Sequence, residues 1–151
     1  MAGCDDVTVR HNVFHWSGVD SIQAWGAADA RYRITHNILL DGVPSYKSNP
    51  AIWVAPEKVP NLVCDGNLHW RETSHKMALL GFSPQGGAPV TIRCDTFEQV
   101  RELGYETRGA YAAPLFIDTS NSDYRLQPGS PAMGMGSGGT TVGIRFRADT
   151  Q

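Results

Sequence analysis

Four tryptophans, two histidines and a glutamine recur at places where they could meet a sugar. Trp25 and Trp53 occupy the outward side of two successive sequence units, and Trp16 and Trp70 follow two corresponding asparagines by four and three residues. An indole face stacks on the apolar C–H surface of a sugar ring, and His15, His69 and Gln23 can hydrogen-bond its hydroxyls. The same tryptophans would serve equally well under loops or in an interface between chains. His11 and His36 share one position, one unit apart, but the third unit has Gly66 there. A stacked polar column therefore accounts for the pair better than a metal, and no metal site is assigned. The stretch from Gly134 to Gly139 satisfies a dinucleotide-type glycine pattern. That motif needs a helix after it, whereas the β-branched residues from Thr140 predict a last strand, Val142 to Phe146, so a nucleotide site is rejected.

The units that position these residues are marked by Asn12, Asn37 and Asn67, which lie 25 and then 30 residues apart in similar local contexts. Such periods belong to solenoids. A sharp corner made by one left-handed residue is expected at each asparagine, the non-glycine residue that best tolerates that backbone. Val7 and Val9, Tyr32 and Ile34, and Leu62 and Cys64 alternate before the corner; Val13, Ile38 and Leu68 follow it. This reads as strand, bend, strand. A further short strand per unit is expected at Ser21–Trp25, Ala51–Ala55 and Met77–Leu80, with a fourth, partial unit at Val90 to Cys94. Stacking the units about 4.8 Å apart gives a parallel β-helix of three to four rungs over residues 1–94. The connection from Asp41 to Pro50 is the longest and should project.

Residues 95–151 break the pattern within the same domain. Thr96 and Gln99 have capping-box spacing, Phe97, Val100 and Leu103 share one helical face, and Gly104 marks a helix end. A short helix acting as a lid is expected, because the last rung of a solenoid otherwise exposes its interior. Composition agrees with an all-β domain: 151 residues, 41% hydrophobic, 16 glycines, 9 prolines and a formal net charge of −2. That charge gives no reason to expect nucleic acid. No run of apolar residues is long enough for a membrane span, and the opening Met-Ala-Gly-Cys-Asp-Asp has no signal-peptide pattern. Cys4, Cys64 and Cys94 cannot all pair within one chain, and Cys64 falls on an inward position suited to a reduced thiol.

Ala113-Pro114-Leu115-Phe116-Ile117-Asp118, then Asp123-Tyr124-Arg125-Leu126 and Gly129-Ser130-Pro131-Ala132, resemble the C-terminal end of right-handed parallel β-helix proteins. The resemblance covers the last third of the chain closely. It implies a right-handed solenoid with a C-terminal cap, related to pectate, alginate and chondroitin lyases and some glycoside hydrolases. Many of these are secreted, which implies an extracellular or periplasmic location.

Lyase chemistry would require a cation, or calcium, to neutralise a uronate carboxylate, and a base near the sugar C5 proton. Arg10, Arg33 and Asp65 form the candidate outward strip; solvated surface charge is the plainer reading. The small number of rungs and the short segment before Val7 imply an open N-terminal end, covered by a second copy or by more chain. A homodimer through that end is expected. The expectation is a carbohydrate-binding module, with no cofactor. The alternatives are a polysaccharide lyase or glycosidase completed by a second chain, or an assembly module without ligand.

Overall fold

A computed structural model describes residues 6–15, 22–24, 30–40, 52–54, 61–71, 80–82, 92–94 and 96–144. The protein is predominantly β, with one short α-helix. Three times in succession the described strands enter three sheets in the same order. β1 (Asp6–Arg10), β4 (Arg31–Thr35) and β7 (Leu62–Asp65) form the first sheet. The second joins β2 (Val13–Phe14), β5 (Ile38–Leu40) and β8 (Leu68–Trp70) to β11 (Ala110–Tyr111), and the third joins β3 (Ile22–Ala24), β6 (Ile52–Val54) and β9 (Leu80–Phe82) to β10 (Ile92–Cys94). All pairs between successive repeats are parallel and in register: Val9 lies beside Ile34 and Ile34 beside Cys64, and Ile22 beside Ile52 and Ile52 beside Leu80.

The corner after the first strand is where the register is set. The left-handed residue is not the asparagine but the one before it: His11 at φ 57°, His36 at φ 58° and Gly66 at φ 70°. This corrects the expectation, and the reason lies in the asparagine side chain, which is needed for hydrogen bonding between repeats. Oδ1 of Asn37 accepts from the backbone N–H of Asn12 (3.1 Å), and Oδ1 of Asn67 accepts from that of Asn37 (2.9 Å). Nδ2 of Asn37 donates to the Val9 carbonyl and Nδ2 of Asn67 to the Ile34 carbonyl, both at 3.0 Å. Asn37 and Asn67 are fully buried, so these polar groups have no water to turn to. The His11 and His36 rings stack, 5.4 Å apart and 11° from parallel. Gly66 carries no ring at the third corner, so the column is two imidazoles deep; a Cβ there would sit 3.3 Å from the His36 ring.

Two apolar clusters flank the second sheet. The inner one takes Tyr32, Ile34, Leu62 and Cys64 from the first sheet, Leu39 from the second, and Ile52 and Cys94 from the third. α1 (Phe97–Glu102) closes on it with Phe97 and Val100, behind a capping box in which Thr96 and Gln99 each accept from the other's backbone N–H at 3.3 Å. Leu103, expected on the same face, is 42% exposed at the helix end. The outer cluster gathers Ile38, Leu40 and Leu68 under Ala132 and Val142. The residues just after each corner therefore face the C-terminal tail, which lies along the outside of the second sheet. Within this tail β12 (Phe116–Asp118) and β13 (Asp123–Leu126) form an antiparallel pair, and Ser130 Oγ donates to the Pro114 carbonyl to close the turn.

Two expected strands differ. β10 runs antiparallel to β9, because only a short connection separates Phe82 from Ile92 and the chain reverses instead of starting another unit. Val142–Ile144 is irregular backbone whose Gly143 N–H donates to the His36 carbonyl, so the tail is anchored at a corner and not in a ladder. Met77–Leu79 and the Asp41–Pro50 connection lie outside the described residues.

Replacing Asn37 by Ala removes two donated bonds and orphans the Asn12 N–H, for a loss of about 3 kcal/mol. Asn12→Ala, at the exposed end, should cost less than about 1 kcal/mol. Urea unfolding of the two variants measures the difference.

Candidate functional site

The outward side chains of the first sheet form three rows across its strands. Asp6 and Arg31 make the first row, Thr8, Arg33 and Val63 the second, and Arg10, Thr35 and Asp65 the third. Strand alternation puts all of these on the face away from the inner cluster. The first two rows, with Asn61 and the neighbouring Val7, Tyr32 and Leu62, line an open groove of about 600 Å³. Arg31 grips Asp6 through two bonds, Nε to Oδ1 at 2.7 Å and Nη2 to Oδ2 at 2.8 Å. That guanidinium, with Arg33 nearby, holds the Asp6 carboxyl below its ordinary range. Arg33 is exposed and has no ion-pair partner among the described residues.

Of the three charged candidates, Arg10 and Asp65 share the third row and Arg33 stands in the second. Asp65 is already engaged. Its carboxyl accepts from the Arg108 backbone N–H (2.8 Å), the Arg108 guanidinium (2.7 Å) and the Thr107 hydroxyl (3.3 Å). Partial burial pushes its pKa up, but the Arg108 N–H and guanidinium and the Thr107 hydroxyl outweigh this and leave it below the ordinary range. A carboxylate so held is a poor base. Among the described residues Asp6 and Asp65 are the carboxylates on this face, each bound to an arginine, and no three His, Cys, Asp or Glu side chains converge on a metal position.

Of the aromatic and histidine candidates, the three whose side chains are described, His15, Trp70 and His69, stand in different surroundings. His15 meets the tail, with Nδ1 2.9 Å from the Tyr124 hydroxyl and its ring edge-on to that phenol. Trp70 is half-buried in the outer cluster against Tyr111. His69 is 1% exposed inside the protein, edge-on to Phe97. Trp16 and Trp25 lie outside the described residues; of Gln23 and Trp53 only the backbone is described, and it pairs in register.

His69 belongs to a buried polar cluster organised by Glu106. Glu106, itself left-handed at φ 50° and 1% exposed, accepts from the Asn67 N–H at Oε2 (3.0 Å) and from Asn67 Nδ2 at Oε1 (2.6 Å). Oε1 also receives the Cys64 thiol and lies 3.1 Å from His69 Nε2. Nδ1 of His69 has no hydrogen-bond partner among the described residues. In sheet register Gly109, not Glu106, stands where a fourth asparagine would be, since Ala110 pairs with Leu68. The Glu106 carboxyl fills that slot from three residues upstream; a Cβ on Gly109 would overlap its Oε2. Arg101 braces the loop by donating to the carbonyls of Glu106 and Gly109. Burial pushes the Cys64 thiol well up, and the adjacent Glu106 adds to the shift, so this cysteine is a protonated donor and not a nucleophile.

No protein-family model, no curated protein and no solved structure matches the chain.

Glu106→Gln puts an amide donor against the donors of Asn67 and should cost about 2–3 kcal/mol, read as a lower thermal midpoint. For Asp65 the folded pKa lies below the unfolded value of about 4, so its contribution is complete above that pH and disappears as pH falls through the lower folded value. Wild type should exceed Asp65→Asn by about 0.5–1 kcal/mol at neutral pH. Urea midpoints of the two proteins should converge in strong acid.

Proposed function

We propose that the chain is a short right-handed parallel β-helix that binds an acidic polysaccharide along the outer face of β1, β4 and β7. The three sheets visited in a fixed order, their in-register parallel pairing and the asparagine ladder support the architecture. The observation that carries the ligand class is the groove in which Arg33 stands exposed between the Asp6–Arg31 pair, Thr8 and Asn61. A guanidinium presents a planar fork to a carboxylate or sulfate, and hydroxyl and amide groups beside it suit sugar hydroxyls. A repeat of 4.8 Å or so between strands also gives an extended glycan a regular series of polar contacts.

Binding without turnover fits this face better than elimination. Asp65, the acid of the strip, is occupied by Arg108, which leaves Arg10 and Arg33 as ligand-directed charges with no base between them. An oligosaccharide of uronate units should bind more tightly than a neutral glucan of equal length, and more weakly as salt is raised. Arg33→Ala should weaken binding about tenfold, or roughly 1.4 kcal/mol, without changing the thermal midpoint. Titration calorimetry decides it: failure of the folded protein to bind any acidic glycan sinks the reading, and an unchanged affinity in Arg33→Ala removes this groove as the site.

A further inference from the structure

Among the described residues the first repeat ends all three sheets on the same side, since β1, β2 and β3 pair there with β4, β5 and β6 alone. Its inward residues Val7, Val9, Phe14 and Ile22 are half-buried, whereas Tyr32, Ile34, Leu39 and Ile52 beside them are at most 7% exposed. The ladder shows the same imbalance. Asn12 donates through Nδ2 to the Arg10 carbonyl and to Asn37, but its Oδ1 accepts from no described residue, while Oδ1 of Asn37 and Asn67 each accept twice. The opposite end is closed. β10 lies on β9, β11 on β8, and the Glu106 N–H donates to the Cys64 carbonyl on β7.

The sequence of β1 identifies the partner that fits. Asp6-Val7-Thr8-Val9-Arg10 is a charge-complementary palindrome about Thr8, and its exposure alternates symmetrically, exposed at 6, 8 and 10 and half-buried at 7 and 9. Two copies of β1 placed antiparallel about a two-fold axis at Thr8 set Asp6 opposite Arg10, Val7 opposite Val9 and Thr8 opposite Thr8. Opposite charges facing across an antiparallel pair stabilise it, and a parallel in-register pairing would oppose like charges instead. Arg31 already fixes the orientation of the Asp6 carboxyl. We infer that the protein forms a two-fold dimer by antiparallel pairing of β1 with the β1 of a second copy, centred on Thr8. The interface is isologous and uses the open side of the described fold, so assembly stops at two. The Asp6, Thr8 and Arg33 grooves of the two copies then meet across the axis.

Thr8→Cys in a Cys4→Ser background tests the register, with Cys64 and Cys94 both buried. Residues directly opposite in an antiparallel pair have Cα atoms about 4.5–5.5 Å apart, within disulfide range. Mild oxidation of the full chain should give a covalent dimer from Thr8→Cys, and none from Val63→Cys, a control on the exposed face of β7. Sedimentation equilibrium should show a dimer at micromolar concentration, with its Kd raised at least tenfold by Arg10→Glu, while the thermal midpoints of the two proteins coincide when diluted to the monomer. A folded wild type that stays monomeric at high micromolar concentration overturns the inference. So does equal cross-linking of the two cysteine variants, or a dimer indifferent to Arg10→Glu.

Discussion

A left-handed corner leaves the next backbone N–H buried and pointing along the stack, where no strand carbonyl reaches it. The asparagine of the following repeat supplies the acceptor, and its amide hydrogen returns to a carbonyl of the preceding repeat. Asn12, Asn37 and Asn67 thus hold the repeats in one register, and every in-register apolar row follows from that. The side-chain amides point the same way, with their N–H ends toward Glu106. The carboxyl at that end plays the part that a capping side chain plays at a helix N-terminus, offering its oxygens to aligned donors. Asn67, Cys64 and His69 all converge on this one group, so it ties together the ladder, the inner cluster and the loop braced by Arg101.

The second sheet is covered on both sides, by the inner cluster and by the tail around Ala132 and Val142. The first sheet has the inner cluster on one side and charged, exposed residues on the other. This asymmetry leaves the charged face of the first sheet open to solvent: a tail that wrapped it would have buried Arg33, and leaving the second sheet bare would have exposed Ile38, Leu40 and Leu68 to water. His15 and Tyr124 fasten the hairpin of the tail beside the second sheet.

The register of the repeats was legible in the sequence because hydrogen-bond partners one repeat apart carry the same residue type. Asp6 and Arg31 share the 25-residue spacing of Asn12 and Asn37, so their ion pair was open to the same reading. The left-handed residue was misplaced because backbone preference alone favours asparagine. At this corner the asparagine side chain is needed for the ladder, and stacked His11 and His36 take the strained backbone. Glu106 left no such trace, since Gly109 stands in the asparagine frame and the carboxyl arrives from a different position. Arg10, Arg33 and Asp65 hold outward register positions on the first sheet, whereas the capture of Asp65 by Arg108 joins residues 43 apart with no shared period.

The Glu106 terminus also bears on how such a protein changes length over generations. A duplicated unit inserted ahead of Asn67 brings its own asparagine and joins a continuous run of amides. One inserted after Asn67 would separate Glu106 from the thiol and imidazole that it meets, and would require a new terminating acid together with a new glycine opposite it. The stretch from Asn67 to Ala110 is thereby one structural block, whose contacts a repeat added or removed upstream would leave intact.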